Sequence, residues 1–275
     1  MTPMKLNVFV SFFPYSGSGG VSSEHPSIRN WFTETMVKMK KDQRVGEICS
    51  KDFCDTPITM TRCDAVVKAR EAGADVLVMV DSDQYPDREL EAGDPQAKPW
   101  WDSSFEFLYN RRQKGLFSVV AAPYCGPPDF ENVYVFRWAN AQSYHPQPDH
   151  RLEAFSREEA AVKGGIEEAG ALPTGLIMFD MPLFELTDPK HEYEMLVKQY
   201  PPDIAKQLTK PWFYYEYKSV YQNEKCSTED VTTTRDMSMS LCKKLGYNPL
   251  FVNWDAWAGH MKPKCVRKPR VIFAS

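Results

Sequence analysis

Apolar and polar positions along the chain follow two periods, and their order is informative. Residues 6–13 alternate and then become continuously apolar, which predicts a strand. Residues 28–40 place Trp31, Phe32, Thr35, Met36 and Met39 at helical spacing. Residues 47–59 are short and irregular in pattern. Residues 61–74 carry helix-forming side chains and end near Gly73, a natural residue just past a helix end. Residues 76–80 are an unbroken apolar run, Val-Leu-Val-Met-Val. A run of that length reads as a parallel strand buried on both faces.

The second half is more mixed. Residues 84–87 form a turn at Pro86, and residues 105–112 read as helix. Residues 116–122 predict another buried strand closed by Pro123, and 133–138 a strand with a more exposed face. Residues 140–165 are a polar excursion with a short helix near 156–163. Residues 172–179 hold a strand interrupted by Pro173-Thr174-Gly175. Residues 182–200 are partly helical, 231–245 form a helix stopped by Gly246, and 250–254 form a short strand. Strands alternating with helices predict an α/β fold. The expected form is a Rossmann-like, mostly parallel central sheet flanked by helices, in a single domain over 1–275.

Composition narrows the class. Hydrophobic residues make up 43% and charged residues 25% of 275, an ordinary globular balance. The net charge of −4 excludes a strongly basic nucleic-acid footprint over the whole chain. No apolar run approaches the roughly 18–20 residues that span a bilayer. The first residues lack the layout of a signal peptide. Seven cysteines without repeated zinc spacing read as reduced thiols, and the expectation is a cytoplasmic protein.

Three places carry chemistry. The apolar run 76–80 ends in Asp81-Ser82-Asp83, two acids one residue apart at the carboxyl end of a strand. Ligands of open α/β sheets sit at that end. Two such carboxylates can converge on a hard cation, Mg²⁺ or Mn²⁺, or else form a solvated turn. Ser227-Thr228-Glu229-Asp230 opens the helix 231–245. It has the residues of a helix cap, and Glu229 or Asp230 can also act as a general base in a cleft. His260 follows Gly259 after the last strand, as a structural histidine or a ligand. Gly17, Gly19 and Gly20 fit neither the P-loop nor the dinucleotide pattern.

Together these features resemble the GT-A glycosyltransferases that use nucleotide sugars. Ile-Thr-Met-Thr-Arg-Cys-Asp at 58–64 and Ala-Gly-Ala-Asp-Val-Leu-Val-Met-Val-Asp-Ser-Asp at 72–83 look like the family's helix, strand and DXD segment. Pro173-Thr174-Gly175-Leu176-Ile177-Met178-Phe179 looks like its glycine-containing strand. Pro211-Trp212-Phe213, Glu229-Asp230, the run ending in Gly246-Tyr247, and Gly259-His260 resemble its later motifs. The resemblance is colinear over about 200 residues.

It implies a nucleotide-sugar-binding half over 1–125 and an acceptor-binding half over 126–275. It implies a metal held by Asp81, Asp83 and His260. Ser11, Phe12, Phe13 and Tyr15 would flank the nucleotide, with Arg62, Asp81 and Gly175 as further contacts. The position after Arg62 is often Asn in the family and is Cys63 here. Asp230, then Glu229, would be the catalytic base.

The expected activity is transfer of a hexosyl or pentosyl group from a nucleoside diphosphate sugar, a UDP-sugar first, with Mn²⁺ or Mg²⁺ as cofactor. The acceptor is a glycan or a modified DNA base. The glycan is the default; the compact form resembles virus-encoded members, which implies the modified base as the second reading and, for a viral protein, the host cytoplasm. Arg111, Arg112, Lys114 and the basic residues Lys262, Lys264, Arg267, Lys268 and Arg270 would then meet phosphates. Trp100, Trp101, Trp212, Phe213, Tyr214, Tyr215, Tyr217 and Trp257 offer flat faces for a ring, or serve as core. The alternatives are a nucleotidyltransferase and a non-catalytic nucleotide-sugar-binding module.

Overall fold

A seven-stranded sheet separates two layers of helices. The computed structural model describes residues 4–14, 25–54, 58–126, 132–139, 151–187, 212–219, 224–261 and 265–268. Its first elements are β1 (Leu6–Phe13), α1 (Pro26–Lys41), β2 (Val45–Asp52), α2 (Ile58–Glu71), β3 (Val76–Asp81), β4 (Gln84–Tyr85), α3 (Arg88–Glu91), α4 (Trp100–Arg112) and β5 (Val119–Ala121). Next come β6 (Phe136–Trp138), β7 (Leu152–Ala154), α5 (Arg157–Ala161), β8 (Ile166–Glu168), β9 (Leu176–Asp180) and α6 (Pro182–Leu186). The described chain closes with β10 (Glu216–Ser219), β11 (Glu224–Ser227), α7 (Glu229–Leu245), β12 (Leu250–Asn253), β13 (Gly259–Met261) and β14 (Cys265–Val266).

The strand order is β2-β1-β3-β9-β5-β12-β8. Strands β2, β1, β3, β5 and β12 run one way, and β9 and β8 run the other. The fold is therefore α/β with a mostly parallel central sheet. Strand β9, from the second half of the chain, lies between β3 and β5 from the first.

Alternate residues of one strand serve the two helix layers, which is why the run at 76–80 is apolar throughout. Val76, Val78 and Val80 pack with α1 and α4 through Ile28, Phe32, Trp101 and Phe105. Leu77 and Met79 pack with α2 and α7 through Ala65, Val66, Met237 and Leu241. Each such buried side chain stabilises the fold by roughly 1.5–3 kcal/mol. Gly73 and Gly246 both have positive φ, 65° and 76°, where an L side chain would be strained.

Most predicted elements are present, and the short elements α3, β4, β10, β11, β13 and β14 are additional to them. The stretch read as irregular at 47–59 contains most of β2. Of that strand only Val45 is buried, so pairing with β1 makes it a strand and no apolar pattern announces it. The strand expected at 116–122 is shorter, because Phe117 N–H donates to Tyr247 Oη and Ser118 N–H to Asp180 Oδ2 instead of extending a ladder. Strand β7 lies within the polar excursion and β8 just after it, and the apolar pattern predicts neither. Residues 140–150 and 188–200 lie outside the described residues.

Candidate active site

The acid turn after β3 is held by its backbone. Asp81 N–H donates to Gly175 O at 2.8 Å, Ser82 N–H to Phe13 O at 3.1 Å, and Met261 N–H to Asp83 O at 2.7 Å. Strands β1, β9 and β13 thus converge on three consecutive residues. Gln84 of β4 pairs with His260 of β13 in antiparallel register. Gly175 has a steric reason to be glycine, since a Cβ there would lie 2.9 Å from Gln84 Cγ. It shapes the turn that presents the acids and is absent from the cleft lining.

Arg62, at the start of the second turn of α2, sits behind Asp81. Its Nη2 donates to both carboxylate oxygens of Asp81 at 3.1 and 2.9 Å, and its Nη1 to Thr174 O at 3.1 Å. Its Nε lies 3.5 Å from Glu229 Oε1. The guanidinium also stands 5.0 Å from the Phe13 ring centroid. Burial works against the Arg62 charge, but Asp81, Glu229 and Asp230 outweigh it and hold the pKa above its ordinary value. Burial pushes the Asp81 carboxyl up to about 6 against the pull of Arg62, with Asp83 and Asp230 adding to the rise. Burial likewise raises Glu229, opposed by Arg62.

His260 and Asp83 meet across 177 residues of chain, with Nε2 3.3 Å from Oδ2. The other ring nitrogen, Nδ1, lies 2.8 Å from Cys125 O. A carbonyl only accepts, so Nδ1 carries hydrogen. In the neutral ring, the Nε2 lone pair then faces a carboxylate oxygen. Two acceptors converging this way suit a cation. Asp83 through Oδ2 and His260 through Nε2 would be the residues to hold such an ion. Among the described residues no group of three His, Cys, Asp or Glu side chains gathers to hold a metal. Asp81, the third ligand expected from the sequence, instead points its two oxygens at Arg62.

The start of α7 faces the acid turn across a cleft of about 720 Å³. Its lining includes Arg62, Asp81, Tyr124, Tyr134, Phe136, Leu152, Glu216, Thr228, Glu229, Asp230 and Arg235. Asp230 accepts from Thr228 Oγ1 and Val231 N–H, both on Oδ1. No described residue hydrogen-bonds to its Oδ2. Glu229 is 8% exposed and committed to Arg62. Arg235 forks onto Glu216 with bonds of 3.0 and 2.6 Å and also binds Asp236. Both arginines of the cleft are therefore already paired, and the acids of its lining outnumber them.

Several lining residues escaped the sequence reading. Tyr124 lies just past the carboxyl end of β5, where the strand-end rule that selected Asp81 would also have found it. Its ring is 5.1 Å from that of His260, and burial raises its pKa well above the ordinary value, with Asp230, Asp81 and Asp83 adding. Arg235 lies one helical turn beyond Val231, on the same face. Nothing local marks Tyr134, Phe136 or Glu216.

Of the other expected contacts, Phe13 adjoins Arg62 and the acid turn without lining the cleft. Ser11, Phe12 and Phe13 are buried strand residues. Phe12 packs 5.0 Å from Phe32, and Phe13 stacks 5.6 Å from Phe53. None of the three lines the cleft, and Tyr15 lies outside the described residues. Cys63 is buried and accepts from Phe213 N–H at 3.4 Å, so α2 turns it toward the 212–214 segment. Trp100, Trp101, Trp212, Phe213, Tyr214 and Trp257 are buried. Tyr215 is half-buried outside the cleft lining, and the Tyr217 side chain lies outside the described residues.

Several of the basic residues are engaged within the protein, while Lys114 is exposed. Arg112 pairs with Asp75 and Asp180, and Arg111 with Ser118, at the end of the sheet opposite the cleft. Arg267 forks onto Glu89, and Lys268 Nζ lies 3.7 Å from Asp94. Lys262, Lys264 and Arg270 lie outside the described residues. Among the described residues no helix is long and apolar enough to cross a membrane.

No protein-family model and no curated protein matches the chain. Among solved structures, A197 from STIV is similar over 97% of this chain and 97% of its own, at 11% identity and a TM-score of 0.47. A likeness at that level carries no argument about residues or activity.

Proposed function

We propose that the protein is a metal-dependent glycosyltransferase of the GT-A kind, moving a sugar from a nucleoside diphosphate to an acceptor hydroxyl. The observation that carries this reading is the Asp83–His260 pair, Oδ2 and Nε2 3.3 Å apart past the end of β3; neither residue is in the lining of the acid-rich cleft, and the pair adjoins it through Asp81 and Tyr124. Such a cleft repels a bare diphosphate. It would take one together with a divalent cation, which Asp83 and His260 would hold from the protein side. When bound, that cation offsets the charge that builds on the departing diphosphate.

The chain's own residues supply the remaining functions. Arg62 holds Asp81 in place at the cleft wall, where it is positioned for the donor. Asp230 takes the acceptor hydroxyl's proton at Oδ2, a contribution of about 10²–10⁴-fold for a well-placed general base. Glu229 keeps Arg62 and the start of α7 together. Tyr134 and Phe136 offer ring faces on the acceptor side.

The acceptor reading that fits best is an uncharged hydroxyl-bearing molecule such as a glycan. A modified base within DNA would bring phosphates against Asp230 and Glu216, while Arg62, Arg235, Arg267 and Lys268 are engaged within the protein.

The test is a thermal-shift series with nucleoside diphosphates and their sugars, with and without Mn²⁺. One diphosphate should raise the melting temperature only with the metal, and Asp83→Ala should abolish the rise. Asp230→Asn should keep the rise and lose turnover, which separates an enzyme from a binding module. Release of pyrophosphate would point to a nucleotidyltransferase. Failure of every nucleotide to stabilise folded protein would overturn the reading.

A further inference from the structure

Among the described residues strand β2 is one margin of the central sheet and pairs only with β1. It is eight residues long, whereas β8 at the other margin has three. Among the described residues nothing pairs with its outer side. Glu47, Cys49, Ser50, Lys51 and Asp52 are all exposed. An edge of this length offers a row of backbone donors and acceptors to a further strand.

The register says which residues offer them. Phe53 N–H donates to Phe12 O, and the β1–β2 pairing aligns Phe9 with Cys49 and Ser11 with Lys51. In a parallel pair, backbone groups of successive residues point to opposite sides of the strand. Lys51 and Cys49 therefore bond inward to β1, while Asp52, Ser50 and Ile48 aim outward. The β1–β2 register shifts between Val45 and Ile48, where Glu47 N–H donates to Asn7 Oδ1 at 2.9 Å, and beyond Gly46 the alternation resumes, with Glu47, Cys49 and Lys51 on one face and Lys51 Nζ 5.0 Å from the Phe53 ring.

We propose that β2 pairs antiparallel with the same strand of a second copy of this chain, about a two-fold axis at Cys49. Ile48 then lies opposite the partner subunit's Ser50, and the two exchange backbone hydrogen bonds. Glu47 lies opposite the partner subunit's Lys51, and Lys51 opposite the partner subunit's Glu47. Both charge pairs fall at positions without backbone bonds between them, where side chains approach closest. Neighbouring registers that keep outward groups aligned destroy this match. An axis at Ser50 sets Lys51 against a cysteine, and an axis at Ile48 sets it against a valine. Opposite charges equally spaced about one residue are what a two-fold contact requires, since the same patch must fit itself. A single strand pair buries little area for a stable dimer, so the association is concentration-dependent.

Sedimentation equilibrium of the full chain under reducing conditions tests the contact. Wild type should show a monomer–dimer equilibrium, Lys51→Glu should be monomeric, and the double variant Glu47→Lys with Lys51→Glu should dimerise again. Diamide, a thiol oxidant, should link native wild type and Cys54→Ser into a disulfide dimer and leave Cys49→Ser unlinked. These side chains are exposed, so circular dichroism should be unchanged. Wild type that stays monomeric at every soluble concentration overturns the proposal. A dimer that survives Lys51→Glu, or a cross-link that survives Cys49→Ser, overturns it as well.

Discussion

Arg62 connects one strand end and one helix start through a single guanidinium. Two carboxylates and one carbonyl surround it, and its side chain is 4% exposed. Among the described residues its Nε has no hydrogen-bond partner, and Glu229 interacts with it by charge. Removing one partner of a buried ionic cluster leaves the others uncompensated. Arg62→Met should therefore destabilise the protein by about 3 kcal/mol, read from denaturant unfolding. The same substitution should disorder Asp81. At Gly175 the constraint is steric. Gly175→Ala must displace Gln84, at a cost of about 1–3 kcal/mol. It should also weaken the Mn²⁺-dependent thermal shift, because Gln84 Nε2 lies 3.3 Å from Asp83 Oδ1.

At the scale of elements, α7 is docked by three consecutive threonines. Thr232 Oγ1 donates to Tyr214 O, Thr233 Oγ1 to Trp212 O, and Thr234 Oγ1 to Leu172 O. Successive helix positions are 100° apart, so the three hydroxyls reach separate neighbours around the helix. This fixes where Glu229 and Asp230 stand relative to the cleft. Thr233→Val keeps the shape and removes the hydroxyl that binds Trp212 O at 2.6 Å and Glu229 O at 2.7 Å. The expected loss is about 1–2 kcal/mol, with faster amide exchange at residues 212–214 as the local readout. A sequence reading sees three residues of modest helix propensity there, because the reason for them lies on other segments.

Across the whole molecule, buried acids set the response to pH. At the sheet end opposite the cleft, burial pushes Asp180 up to about 7 from an ordinary 3.8, against Arg112 and the Ser118 N–H. Between those values the folded state holds a proton that the unfolded chain has released. Stability therefore falls as pH rises from about 4 to about 7. Asp81 contributes in the same direction up to about 6. Asp180→Asn should flatten that fall, and Arg112 retains Asp75 in the variant. Urea titrations of both proteins across this range check the sign. A wild type whose stability rises over the range would contradict it.

The sequence alone determined what depends on neighbours a few residues away. The continuous apolar run at 76–80 required a strand covered on both faces, Gly73 and Gly246 required helix ends, and Asp81-Ser82-Asp83 had to follow at the strand's end. Those features follow from local period and backbone sterics. Edge strand β2 left no such trace, since its backbone pairing needs almost no side chain buried. Partnership was decided by the tertiary structure alone. The strand order β1-β3-β9-β5 brings Gly175 behind Asp81 and Tyr124 toward His260. It commits Arg62 to two acids, and it sets Asp83 against a histidine 177 residues away. Such contacts depend on which strands become neighbours, and that order is settled by packing the whole sheet between its two helix layers.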